Sequence, residues 1–139
     1  QARALRHLIL RHPPGHAQRT LAYFMALGHY DAQIRRLRRH LAERRRVLQS
    51  SIDAEGLFSH SAAHFGGTSF WVSGPDWLDS RILAKRAIKD GVLSEAGDVF
   101  FDDEDPPLNY FRLAYSAIST ERIPEGVARL ASVMRTLRP

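Results

Sequence analysis

The chain contains no cysteine, which excludes both a disulfide framework and thiolate chemistry. Lysine is nearly absent as well. Only Lys85 and Lys89 occur, on an amphipathic pattern beside Asp90 that reads as a solvated helix face and not as a Schiff-base site. No apolar run approaches the length of a membrane span, and no signal peptide opens the chain. Internal repeats and low-complexity segments are missing too. So are a nucleophile with its base, paired carboxylates in a cleft and a glycine loop that could cradle phosphate. The chain therefore carries no catalytic constellation of its own.

What remains is 139 residues, 44% hydrophobic and 25% charged, the size and balance of one domain with an ordinary core. The net charge of +5 is almost wholly arginine. That basicity permits nucleic-acid binding without showing it, and a skewed genomic base composition also produces arginine in place of lysine. The chain begins Gln1-Ala2-Arg3 with no initiator methionine, so it is expected to be a piece of a longer protein. A soluble, cytoplasmic location with no membrane contact is the expectation.

Residues 1–12 read as helix, ended by Pro13-Pro14-Gly15. A short helix follows over AQRTLAYFMAL, with Gly28 at its C-terminal stop. Asp31 is expected to cap a long helix on which Ile34, Leu37, Leu41, Leu48 and Ile52 form one apolar stripe. After a loop over DAEGLFSHSAAHFGG come a strand TSFWVSG, a helix from about Asp79 to Lys89 ended by Gly91, and two short strands within VLSEAGDVFF. The acidic loop DDEDPPL, a strand around Arg112, and a helix from about Thr120 to Leu137 capped by Ser119 complete the chain. This order predicts an α+β layer: a small mixed or antiparallel sheet with helices packed on one face, preceded by a long helix.

Arg112 is the principal candidate. The two-residue period puts Phe111, Leu113 and Tyr115 on the core face and Tyr110, Arg112, Ala114 and Ser116 on the other. A guanidinium is costly to bury unless an anion meets it, and its planar fork matches a carboxylate bidentately. Either that face is in water, or an anion is expected there. Gly66 and Gly67, directly before a strand, are weaker candidates for close backbone approach by a ligand, and loop geometry explains them equally well. The run Arg35, Arg36, Arg38, Arg39, Arg44, Arg45 and Arg46 could follow phosphates. Its spread around the polar arc, the interruption at Glu43 and the lack of interleaved aromatics favour a solvated face. His60 and His64 have ligand-like spacing but no third ligand, and Asp102 to Asp105 lack the alternation of a calcium loop. Neither is expected to hold metal.

Taken in order, HPPGHAQRTLAYFMALGHYDAQIRRLRRHLAERRRVL, GGTSFWV, LAKRAIKDGVLSEAGDVFF and NYFRLAYSAISTERIPEGVARLA resemble the C-terminal part of fold-type I pyridoxal-phosphate aminotransferase-like proteins. The resemblance is greatest to the aminotransferase-like domain of MocR-type, GntR-family transcriptional regulators. It runs over nearly all of residues 11–134, and no single motif within it is specific. It implies that Arg112 binds the α-carboxylate of an amino-acid substrate or effector, and that the arginine-rich helix is structural. It also implies pyridoxal phosphate in the full-length parent, held by an upstream large domain of the same chain, with none expected in this fragment. On this resemblance residues 1–28 are the tail of, or linker from, that large domain, and 29–139 the small C-terminal domain. The Schiff-base lysine lies upstream in the family, so the fragment alone is not an enzyme, although its parent could be an aminotransferase. Further implied partners are an amino-acid or amine ligand, DNA through an N-terminal domain absent here, and a second copy in a homodimeric parent. Ala96-Gly97 departs from the usual Pro-Gly, and Asp102 to Asp105 add acid near the site entrance. Two other readings stay open: a small basic nucleic-acid-binding module using the Arg35 to Arg46 helix, and an autonomous small-ligand sensor around Gly66, Gly67 and Arg112.

Overall fold

The computed structural model describes residues 2–10, 14–59 and 67–139. These form two compact units, residues 1–39 and residues 40–139. The first contains α1 (Ala2–Leu10), α2 (Gly15–Ala26) and the beginning of α3 (His29–Ala54). Helix α2 stops where expected. The Leu27 amide donates to the Tyr23 carbonyl, and Gly28 adopts a left-handed φ of 75° that lets the chain turn straight into α3. Because that turn is so tight, α3 begins at His29, and Asp31 lies inside its first turn instead of capping it. Leu21, Tyr23, Met25 and Leu27 are exposed, so this unit has no core of its own around α2.

The second unit holds the remainder of α3, β1 (Phe58–Ser59), β2 (Ser69–Ser73), α4 (Ser80–Ala87), β3 (Glu95–Ala96), β4 (Tyr110–Ala114) and α5 (Ile123–Thr136). The four strands pair in the order β1-β2-β4-β3, every pair antiparallel. The α+β layer expected from the element order is thus present, in its antiparallel form. Alternation in the two central strands buries Phe70 and Val72 of β2 and Phe111 and Leu113 of β4 on one face. Leu83 and Ala87 of α4, Val127, Leu130 and Met134 of α5, and Leu48 and Ile52 of α3 pack with them into a single core.

Several local expectations are corrected. The apolar stripe of α3 is buried only toward its C-terminal end: Leu48 and Ile52 are inside, whereas Leu37 is 45% exposed. Within VLSEAGDVFF only Glu95–Ala96 is strand; Asp98–Phe100 winds into a 3-10 turn, with the Phe100 amide bonded to the Gly97 carbonyl. Helix α4 runs to Ala87, and a 3-10 turn at Ile88–Asp90 carries it to Gly91, whose φ of 75° ends it. Its cap is Asp79, which accepts from the Arg81 amide at 2.9 Å and is gripped by the Arg81 side chain. The last helix begins at Ile123 after a 3-10 turn at Thr120–Arg122, and Ser119 makes no side-chain cap bond. Pro124 lies at the first helical positions, where its missing N–H costs nothing. Finally, Phe58–Ser59 pairs with Val72 and Ser73 as an edge strand inside a segment expected to be loop.

Candidate functional site

The face of the sheet away from the core is built from the alternate residues of the same strands. Arg112 of β4 stands opposite Trp71 of β2 on one side and Glu95 of β3 on the other. Residues directly opposite in an antiparallel ladder share a face, so all three side chains lie together. Trp71 stacks on Tyr110, with ring centroids 5.8 Å apart and planes 15° from parallel. Phe100 meets Trp71 edge-on at 5.6 Å, and Phe101 packs on Trp71 and Tyr110 at 5.9 and 5.7 Å. The Arg112 guanidinium lies over the Phe100 ring, 5.5 Å from its centroid. An aromatic floor therefore supports a cation whose side chain keeps 38% of its surface exposed.

What brings Phe100 and Phe101 to this floor is Gly97. Its amide donates to the Tyr110 carbonyl at 2.8 Å and, at 3.4 Å, reaches the hydroxyl of fully buried Ser80. A Cβ at position 97 would stand 2.5 Å from that Tyr110 oxygen and 2.9 Å from the Trp71 ring, so only glycine permits the approach. The 3-10 turn that follows then delivers Phe100 toward Arg112.

The anion expected beside Arg112 is supplied by the chain itself. Arg112 Nε donates to Glu95 Oε2. This hydrogen bond, outweighing the opposing desolvation, holds the Glu95 carboxyl below the usual carboxylate range. The same bond is the largest influence raising the Arg112 guanidinium further above its already high ordinary value. The alternation in β4 points to Arg112, whereas Glu95 is marked by nothing local and joins it only through the pairing of β3 with β4.

Gly67 is placed elsewhere. It precedes β2 by two residues, four from Trp71, or on the order of 13 Å along an extended chain. There it adopts a φ of 86° and its carbonyl accepts from the buried Tyr115 hydroxyl at 2.7 Å. Gly66, His60 and His64 lie outside the described residues. Among the described residues no cluster of three or more metal-ligating side chains occurs. The acidic run Asp102 to Asp105 is an exposed bend, as expected.

Part of the arginine run is committed to the fold. Arg44 Nη1 donates to the Ser116 carbonyl at 2.5 Å, and Arg45 lies over the Phe70 ring at 5.4 Å. An open cleft of about 720 Å³ lies away from Arg112, lined among others by Gly56, Leu57, Gly74, Trp77, Met134 and Arg135. Both lysines are exposed on α4 and the turn after it, away from the Arg112 face.

No family model matches the sequence. The chain is 48% identical over 133 residues to the HTH-type transcriptional regulator TauR of Rhodobacter capsulatus, covering 96% of this chain and 28% of TauR. In structure it superposes on LysN, the α-aminoadipate aminotransferase of Thermus thermophilus, with a TM-score of 0.80 at 25% identity, over 96% of this chain and 34% of that one. The chain has the fold of an aminotransferase small domain and resembles part of a transcriptional regulator. Kynurenine aminotransferase of Pyrococcus horikoshii gives a TM-score of 0.68 at 28% identity, over 81% of this chain and 28% of its own. The chain thus spans about a quarter to a third of the length of the proteins it matches. The LysN structure holds N-(5'-phosphopyridoxyl)-L-leucine, an amino acid joined to a pyridoxyl group. Among the described residues, no helix is long and apolar enough to cross a membrane.

Proposed function

We propose that this domain belongs to a longer MocR-type, GntR-family regulator of the cytoplasm and that it reads the carboxylate of an amino-acid effector through Arg112. The observation that carries this reading is Arg112 itself: a part-exposed guanidinium raised on an aromatic floor, on the sheet face that the helices leave uncovered. Arginine on such a face offers two parallel N–H groups to a carboxylate. The likeness to TauR supports regulation, and the likeness to LysN supports an amino-acid ligand.

In this reading an upstream domain of the same chain supplies pyridoxal phosphate and its lysine, and the present domain closes over it, excluding water and selecting the ligand. Residues 1–28 are the tail of that upstream domain. The exposed Leu21, Tyr23, Met25 and Leu27 support this, being apolar surface of the kind a neighbouring domain covers. DNA is bound by a helix-turn-helix further upstream, and two copies pair through the large domain. The test is the visible absorbance of the longer protein, titrated with amino acids, in wild type and in Arg112→Ala. The wild-type band is expected to respond, and the variant to need roughly tenfold or more ligand for the same response. An equal response in both proteins removes Arg112 as the anchor, and a protein without a visible band removes the cofactor.

A further inference from the structure

We infer that Glu95 is a resident counter-ion on Arg112 that sets the threshold at which an external carboxylate binds. This rests on the reading of Arg112 as the carboxylate anchor and adds a specificity-determining residue to it. Glu95 is the cross-strand partner of Arg112, so the ladder holds the two side chains on one face whether or not a ligand is present. The contact joins Arg112 Nε to a single Glu95 oxygen. A carboxylate clamped bidentately engages two guanidinium nitrogens, a stronger and more directional arrangement than one shared bond.

The pair is also cheap to exchange. Glu95 keeps 54% of its side-chain surface in water and Arg112 keeps 38%, and exposed ion pairs of this kind are weak. An incoming carboxylate therefore meets a cation already neutralised by a neighbour that gives way readily. Weak or singly contacting anions fail to displace it, whereas a ligand that also gains from the aromatic floor succeeds. Glu95 in addition repels any ligand bearing a second carboxylate near the first. The consequence is lower affinity for all acids and a preference for ligands with one carboxylate at that end.

The test is isothermal titration of the longer protein with the twenty protein amino acids, β-alanine and γ-aminobutyrate, in wild type, Glu95→Gln, Glu95→Ala and Arg112→Ala. Glu95→Gln keeps an oxygen for Arg112 Nε and removes only the charge. It is expected to bind the responding amino acids at least about fivefold more tightly, with aspartate and glutamate gaining most. Glu95→Ala is expected to gain in the same direction, and Arg112→Ala to lose binding. Unchanged or weaker binding in both Glu95 variants, with binding lost in Arg112→Ala, overturns the counter-ion role and leaves the anchor standing. Undiminished binding in Arg112→Ala, or no binding in wild type and both Glu95 variants, overturns the anchor and the counter-ion together.

Discussion

Replacing Gly97 by alanine adds a single methyl group just after β3, where the backbone lies against Tyr110 of β4. The backbone conformation does not forbid the change, because Gly97 has a φ of −84°, which any residue adopts. The obstacle is the neighbour. The new Cβ would lie 2.5 Å from the Tyr110 oxygen and 2.7 Å from its carbon, backbone atoms that cannot turn aside as a side chain could. Strand β3 must lift, and the 2.8 Å bond from the Gly97 amide to Tyr110 lengthens or breaks. Forced overpacking costs about 1–3 kcal/mol and a lost internal hydrogen bond about 1 kcal/mol, together about 2–4 kcal/mol. For a unit of this size that corresponds to a fall in Tm of roughly 10–20 °C by circular dichroism. The Trp71 indole resonance should shift too, since that ring packs on Phe100 and Phe101. Gly67→Ala is the contrasting control. It meets no atom within 4 Å but carries a φ of 86°, so it costs only about 1–2 kcal/mol of backbone strain. A Gly97→Ala protein melting within about 2 °C of wild type refutes the close-approach reasoning.

Asp79→Ala removes the cap of α4 and its grip on Arg81, and should destabilise by about 0.5–2 kcal/mol in urea unfolding. The bond from the Arg81 side chain holds the Asp79 carboxyl below its usual range, against a smaller opposing effect of burial. Its contribution is therefore complete above the ordinary carboxylate pKa and lost as pH falls through the lowered one. The difference between wild type and Asp79→Ala should close in strong acid, below about pH 4. Tyr115→Phe deletes the hydroxyl bonded to Gly67 and should cost about 1 kcal/mol, read as a lower midpoint in denaturant without change in slope. Burial raises the Tyr115 phenol, so its share of stability is full below about pH 10 and falls as pH rises through the raised value.

Much of this architecture was legible in short stretches. The alternation of Tyr110, Phe111, Arg112, Leu113 and Ala114 sorts core from open face, because a strand's period of two is a property of the chain itself. The stops at Gly28 and Gly91 were legible for the same reason: both positions require a left-handed backbone that glycine enters at no cost. The fold departs from the local signal where a distant neighbour intervenes. Leu37 belongs to the α3 stripe by spacing, yet it is 45% exposed while Leu48 and Ile52 lie in the core. The residues after Gly97 have strand-like composition but coil into a 3-10 turn, because Gly97 presses against Tyr110, thirteen positions later in the chain.

The candidate site divides along the same line. That an arginine would stand on the uncovered face of a core strand was determined by the sequence alone. That its anion would be Glu95, from a strand seventeen residues earlier, was decided only by the register of β3 against β4. Side-chain period is set by the local backbone, whereas register is set by everything the two strands pack against. The residue alternation could thus name the cation, and only the folded sheet could choose its partner.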